Sequence, residues 1–149
     1  MITYLSGDLF QSPAQVLVNA VNTVGAMGKG IALEFKRKYP EMFSDYQHLC
    51  KSGAFDIGQL WLYKSPQKWV LNFPTKRDWR DKSRIEYIEL CLTKFIEIYE
   101  TEGITSISFP RLGCGLGGLN WENEVRPLME RYLSPLPIDI MIHVPDNPL

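Results

Sequence analysis

Two glycine-rich loops, one lysine, one aspartate and two asparagines have the types and spacing to do chemistry in this sequence. The first loop is Asn19-Ala-Val-Asn-Thr-Val-Gly-Ala-Met-Gly-Lys-Gly-Ile31. It follows the apolar run Val16–Val18 and precedes an amphipathic pattern that begins at Ile31, so it joins a buried strand to a helix. Glycine lets backbone approach a ligand closely, and a helix start offers unpaired N–H groups and the positive end of a dipole. Together these suit an anion, most often a phosphate. Asn19 and Asn22 can hydrogen-bond hydroxyls without adding charge. The plainer alternative is a glycine-rich turn with no ligand. A second loop, Pro110-Arg-Leu-Gly-Cys-Gly-Leu-Gly-Gly-Leu119, follows another apolar run. Lys76 stands just after the strand-like stretch Trp69–Phe73. It is either a solvated surface lysine or, beside a diphosphate, an acid or a Schiff-base nucleophile toward a sugar carbon. Asp8, in Gly7-Asp8-Leu9, is either a turn cap or an acceptor for an amino group such as that of a purine.

Other chemistries lack their residues. Gly113, Gly115 and Gly118 match the dinucleotide fingerprint, with Asp139 further on, but only one strand remains after the motif, too few for that fold. Lys29 is followed by Gly30 and not by Ser or Thr, so the P-loop motif is absent. No Cys/His pair, Ser/His/Asp set or paired carboxylate shares the predicted site. Cys50, Cys91 and Cys114 have no zinc spacing, and His48 and His143 are the only histidines. No metal and no cofactor is expected. Two glycine loops, an acid and two amides fit a diphosphate flanked by two ribosides.

The elements that must position these groups alternate. Strands are expected at Met1–Leu5, Val16–Val21, Gln59–Tyr63, Trp69–Phe73, Ile104–Phe109 and Ile138–Val144. Helices are expected at Ile31–Tyr39, ended by Pro40, at Glu41–Lys51, from Ser83 to about Thr101, and at Trp121–Tyr132 capped by Asn120. Ser83 and Glu86 form a capping-box pattern, and Ile88, Leu92, Phe95, Ile96 and Tyr99 form one apolar stripe. Pro145–Pro148 reads as an exposed end. Such alternation places helices on both faces of a mostly parallel or mixed sheet. Ligands then sit beyond the strand C-termini, where both glycine loops fall.

The chain has 149 residues, enough for one domain over residues 1–149. Its net charge of −1 argues against a surface built throughout for nucleic acid or anionic membrane, so any basic site must be local. Thr75–Arg84 is such a site: five of its residues are basic and two acidic, with Trp79 among them. Scattered cysteines, and no apolar run near the roughly 18 residues of a membrane span, suggest a cytoplasmic protein with no membrane partner.

These residues resemble the macrodomain family, the ADP-ribose-binding fold. Gly7-Asp8-Leu9 resembles its adenine-binding turn, Asn19-Ala-Val-Asn22 its ribose-binding segment, and Gly113-Cys-Gly-Leu-Gly117 its second phosphate loop. Thr23–Leu33, Asn72-Phe-Pro-Thr-Lys-Arg77, Trp79-Arg80 and Gly113–Leu119 resemble the macrodomains of the DarG antitoxin group, which are DNA ADP-ribosyl glycohydrolases.

The resemblance implies a three-layer α/β/α fold around a central mixed, mostly parallel sheet of about six strands. It implies Lys76 as the catalytic residue. It places substrate on Asp8, Leu9, Asn19, Asn22, Thr23, Gly28, Lys29, Gly30, Ile31, Thr75, Leu112, Gly113, Cys114, Gly115, Leu116 and Gly117. It implies ADP-ribose and ADP-ribosylated single-stranded DNA as ligands, a DarT-type toxin as partner, and a monomer. A related group, the terminal ADP-ribose protein glycohydrolases, pairs the lysine with an aspartate where Gly117 stands here, which favours DNA over a protein-glutamate substrate. Arg77, Trp79 and Arg80 are the expected DNA contacts, the arginines for phosphates and the indole for base stacking. Alternatively Trp79 packs into the fold and the charges pair with Asp78 and Asp81. Two other readings remain: a binding module without turnover, and a hydrolase of protein-linked or small-molecule ADP-ribose adducts.

Overall fold

The computed structural model describes residues 1–144, and the exposed end expected at Pro145–Pro148 lies outside them. Six strands form one sheet: β1 (Ile2–Leu5), β2 (Val16–Val21), β3 (Trp61–Lys64), β4 (Trp69–Pro74), β5 (Ser106–Phe109) and β6 (Asp139–His143). Their order across the sheet is β1-β6-β5-β2-β4-β3. Every neighbouring pair is parallel except β3 with β4, which are antiparallel and joined by the tight Ser65–Lys68 turn. The order reverses beside β2, and the loops after β2, β4 and β5 emerge at the same end of three adjacent strands.

Alternation along β2 separates two cores. Val16 and Val18 face one way, toward α3 (Ile85–Ile98) and α4 (Arg126–Leu133), where Ile88, Leu92, Phe95, Met129 and Leu133 are buried. Leu17 and Val21 face the other way, toward α1 (Gly30–Lys38) and α2 (Pro40–Ser52), against Phe35, Met42 and Tyr46. Helices on both faces of a mixed sheet complete the three layers. Emptying either core at a fully buried phenylalanine, Phe35 or Phe95, would cost about 3–5 kcal/mol.

Local chemistry sets the boundaries. Pro40 starts α2, where its missing N–H is harmless. Gly53, at φ +80°, closes that helix with its N–H on the Leu49 and Cys50 carbonyls. The Asn120 side chain accepts from the Asn123 amide, 2.7 Å away, and caps a single π-helical turn, Trp121–Val125, that leads into α4.

Several expected features change. Ser83 is not the cap of α3: the helix starts at Ile85 behind Arg84, with no side-chain cap, and Glu86 turns to the Arg84 guanidinium at 3.4 Å. Helix α3 stops at Ile98, short of Thr101. Ile96 lies outside the buried stripe and is exposed, while Cys91 fills the seam, because Ile96 follows the buried Phe95 a quarter-turn round the helix.

Candidate functional site

The ends of β2, β4 and β5, together with the turn after β1, enclose a cleft of about 1020 Å³. Helix α1 points its N-terminus into it. Lys29 caps that helix by backbone position alone, with no side-chain hydrogen bond, so the first-turn amides stay unpaired. The amides of Gly28, Lys29 and Gly30 take no protein acceptor among the described residues. The second glycine loop is alike. Its turn is closed by Cys114 N–H on the Arg111 carbonyl at 3.2 Å and Leu119 N–H on the Gly113 carbonyl at 2.9 Å. Between them, the amides of Gly115, Leu116 and Gly117 have no acceptor among the described residues. Both loops line the same cleft, and Leu116, 65% exposed, reaches within 3.5 Å of where a Cβ on Gly30 would stand. Two sets of converging N–H groups plus a helix dipole make a site for a di-anion.

Asn22 is fixed by its own loop. Its Oδ1 accepts from the amides of Val24 and Ala26 at 3.1 and 3.3 Å, and its Nδ2 donates to the Ala26 carbonyl at 2.8 Å. The buried Tyr46 hydroxyl, 2.7 Å from the Asn22 carbonyl and 2.8 Å from Oδ1, braces it from below. Burial raises the Tyr46 pKa well above the usual phenol value, so this brace stays a neutral donor. One Nδ2 hydrogen is left for the cleft, which Asn22 lines. Asp8 caps the short turn Leu9–Gln11 through the Phe10 amide at 2.9 Å, and it also lines the cleft.

Lys76 lies on the wall with its Nζ 3.5 Å from the Trp79 carbonyl. Trp79 also lines the cleft and is 56% exposed, so it does not pack into the fold. The Arg80 guanidinium lies 5.5 Å from its ring centre and grips Asp78 through two bonds of 3.0 and 2.8 Å. Those bonds, a further one from the Arg80 amide and the nearby Lys76 charge bring the Asp78 carboxyl down to about 2. Among the described residues Asp81 has no ion pair.

Five expected contacts lie off the cleft wall. Asn19 is wholly buried, because β2 runs on to Val21 and Asn19 faces Asn72 across the strand pair; its Nδ2 donates to Asn72 Oδ1 at 3.1 Å. Leu112 is in the core. The Cys114 thiol turns to the Leu112 carbonyl, and burial lifts its pKa to about 11. Arg77 swings to Asp56 at 3.2 Å and over the Tyr87 ring. Thr23 donates both its amide and its hydroxyl to the Arg77 carbonyl, at 3.0 and 3.1 Å. The other residues named from the sequence, Leu9, Gly28, Ile31, Thr75 and Gly113 among them, share the cleft.

Phe10, Ser83, Arg111 and His143 also line it, though sequence reasoning did not single them out as site residues. Phe10 could have been read from its place beside Asp8. His143 carried no local signal. It sits at the end of β6, with Nε2 3.1 Å from the Ser108 hydroxyl and Nδ1 buried without a hydrogen-bond partner among the described residues. Burial lowers its pKa, against the opposing pull of the Gly7 backbone and the Asp8 charge. Ser83 was hidden by its capping-box pattern. No three His, Cys, Asp or Glu side chains come close enough to share an ion among the described residues, and no helix there is long and apolar enough to cross a membrane.

Comparison with known proteins places this geometry. The Macro domain family profile matches residues 18–128. A DNA ADP-ribosyl glycohydrolase of Mycobacterium tuberculosis is 44% identical over 99% of this chain, which spans 43% of that relative. The human ADP-ribose glycohydrolase OARD1 is 30% identical over 95% of this chain and 90% of its own length. Among solved structures, the macrodomain of Mycobacterium tuberculosis DarG superposes with a TM-score of 0.93 at 44% identity, covering 98% of this chain and 99% of that one. Thermosipho africanus DarTG in complex with ADP-ribose gives 0.92 at 42% identity, covering 97% of this chain and 42% of the other. The chain spans less than half the length of the DNA ADP-ribosyl glycohydrolases it matches.

Proposed function

The chain belongs to the macrodomain family, and on that premise we propose that it is one macrodomain over residues 1–149 that releases ADP-ribose from a base in single-stranded DNA. One observation carries the reading: the unpaired amides of two glycine loops line one cleft with Lys76 on its wall. Relatives named DNA ADP-ribosyl glycohydrolase, at 38–44% identity, support DNA as the source of the ADP-ribose. A Thermosipho africanus relative, a DNA ADP-ribosyl transferase–DNA ADP-ribosyl glycohydrolase fusion protein, supports a DarT-type toxin as functional partner.

In this reading the glycine loops hold the diphosphate through backbone N–H groups. Asp8 accepts from the adenine amino group, and the free Asn22 N–H meets a hydroxyl of the distal ribose. Water adds to the ribose C1″ as the carbon–nitrogen bond breaks. The base nitrogen keeps the bonding pair and takes a proton from the Lys76 ammonium, and the proton lost by water restores the lysine. Alternatively, neutral Lys76 attacks C1″ as the carbon–nitrogen bond to the base breaks, the base nitrogen taking the proton that the amine loses; the glycosyl-lysine opens to a Schiff base, and water hydrolyses it to ADP-ribose and free lysine. Neither course calls on a cofactor. The protein acts in the cytoplasm, as a monomer.

The test is release of ADP-ribose from modified single-stranded DNA, modified protein and small-molecule adducts, side by side. DNA should be the fastest substrate. Faster release from another adduct would reassign the substrate, and binding without release from any would leave a binding module. Lys76→Ala should lose nearly all turnover with ADP-ribose affinity within a few-fold. Lys76→Arg keeps the charge but cannot form a Schiff base. An active arginine variant would point to electrostatic stabilisation, since a guanidinium keeps its charge and its proton, while a borohydride-trapped adduct of the wild type selects the nucleophile. Full turnover by the alanine variant would remove Lys76 from the mechanism.

A further inference from the structure

The segment carrying Lys76 is a bridge between the two glycine loops. Its base is closed by the Arg84 amide on the Thr75 carbonyl at 3.3 Å, so Lys76 to Ser83 form one compact excursion from the end of β4. On one side, Thr23 of the first glycine loop gives both its donors to the Arg77 carbonyl, one residue beyond Lys76. On the other side, the Ser83 amide donates to the Gly117 carbonyl at 3.0 Å. That second joint is tightly packed. A Cβ on Gly117 would stand 2.3 Å from Ser83 Oγ and 2.5 Å from the Gly113 carbonyl oxygen. One on Gly113 would stand 3.1 Å from Ser83 Cβ. Ser83 is buried and its hydroxyl lies 3.4 Å from the buried Thr75 hydroxyl, at the root of the lysine segment. By contrast, among the described residues Lys76 itself has a single weak polar contact, 3.5 Å to Trp79 within its own segment.

We propose that Thr23 and Ser83 are positioning residues: each ties the Lys76 segment to one diphosphate-holding loop, so that seating a diphosphate on both loops sets the lysine in place. This rests on the reading of Lys76 and the loops given above. Thr23 and Ser83 then act on the reaction through Lys76, with the diphosphate held by loop amides that neither side chain replaces. A lysine set through two joints is sensitive to both, since displacement by about 1 Å of a group that must meet the reacting atoms can cost roughly 100-fold in rate.

Thr23→Val removes the hydroxyl donor at constant shape, Ser83→Ala removes the hydroxyl, and Thr23→Ser restores the Thr23 donor. Thr23→Val and Ser83→Ala are each expected to lower kcat by roughly 10-fold, with KM and calorimetric ADP-ribose affinity within about 2-fold, while Thr23→Ser stays near wild type. Hydrogen exchange gives a second measurement that needs no turnover. ADP-ribose should slow exchange over both glycine loops and over residues 76–82 in the wild type. In the Thr23→Val/Ser83→Ala protein, which keeps the two backbone joints, the slowing over residues 76–82 should be clearly weaker than in the wild type while that over the glycine loops persists. Wild-type kcat in the single variants, affinity falling in step with kcat, or undiminished ligand protection of 76–82 in the double variant would each overturn the proposal. If the double variant fails to fold, the Thr23→Val and Thr23→Ser pair decides by the same two measurements. A wild type that binds ADP-ribose yet releases none from any adduct would end the catalytic reading, while the exchange data would still judge the joints.

Discussion

Asp8 shows how one side chain serves both fold and ligand. Its carboxylate caps the turn after β1 through the Phe10 amide and faces the cleft at the end proposed for adenine. Asparagine caps as well as aspartate, whereas alanine does not, at a cost of about 0.5–2 kcal/mol in stability. A hydrogen bond to a charged acceptor is worth about 1.5–3 kcal/mol in binding. Asp8→Ala should therefore lower both melting temperature and ADP-ribose affinity. Asp8→Asn should keep the first and lose part of the second, because its neutral oxygen is the weaker acceptor. Equal affinity in all three proteins would take Asp8 out of the binding site. His143 gives a pH dependence. Burial holds its folded pKa below the ordinary 6.5, so the unfolded chain takes up the proton first. The stability it contributes is present above about pH 6.5 and is lost as pH falls through the folded value. Thermal melts of the wild type should fall in this window on acidification, and His143→Gln should flatten the drop. An unchanged slope in the variant would assign the pH dependence to other groups.

The second glycine loop owes its shape to what stands beside it. Gly117 has no room for a side chain because Ser83 and the Gly113 carbonyl occupy the position of its Cβ. Gly117→Ala must push the loop off Ser83, loosening the unpaired amides and the Lys76 segment together. Overpacking of this kind typically costs about 1–3 kcal/mol, and turnover should fall by at least 10-fold, with weaker ADP-ribose binding. Gly115, where a Cβ would meet nothing within 4 Å, is the control: Gly115→Ala should be milder on both counts. Equal losses at the two positions would mean that general loop flexibility, and not the Ser83 contact, governs the site. The same packing explains why a carboxylate cannot be added at position 117 without displacing Ser83.

The molecule as a whole carries a net charge of −1, so a DNA substrate has only a local strip to follow. Within that strip Arg77, Arg80 and Arg84 already pair with Asp56, Asp78 and Glu86. Few cations are left to displace counterions from phosphates. Each phosphate neutralised on a single strand adds about 0.7 to the salt slope, so the rate on modified DNA should fall with salt only shallowly, as for two or three contacts. The exposed Trp79 ring then contributes more than the cations do, since base stacking is worth roughly 1–3 kcal/mol. Trp79→Ala should raise KM for modified oligonucleotides by about 10-fold and leave free ADP-ribose binding intact. A parallel loss of free ADP-ribose binding would make the indole structural, and a steep salt slope would place the DNA path on cations outside this strip.

What could be read from residues alone was whatever is decided by neighbours in the chain. Short apolar runs marked the six strands, Pro40 separated α1 from α2, and Asn120 announced its cap. Glycine spacing after β2 and β5 marked two loops built to leave amides unpaired, and strand alternation placed both at the C-terminal ends of a sheet. What sequence could not reach was whatever depends on a partner far along the chain. Asn19 reads as a loop amide until the register of β2 on β4 sets it against Asn72, 53 residues away. Arg77 looks free for DNA until Asp56 is brought beside it, and Thr23 looks like a ligand contact until the Arg77 carbonyl takes both its donors. Ser83 has a local role that fits, as a helix cap, and a tertiary one against Gly117 that displaces it. Side chains with a hydrogen bond to give accept the partner that the packed sheet presents, and only the tertiary structure selects that partner, because burying an unpaired polar group costs more than choosing one among several pairs.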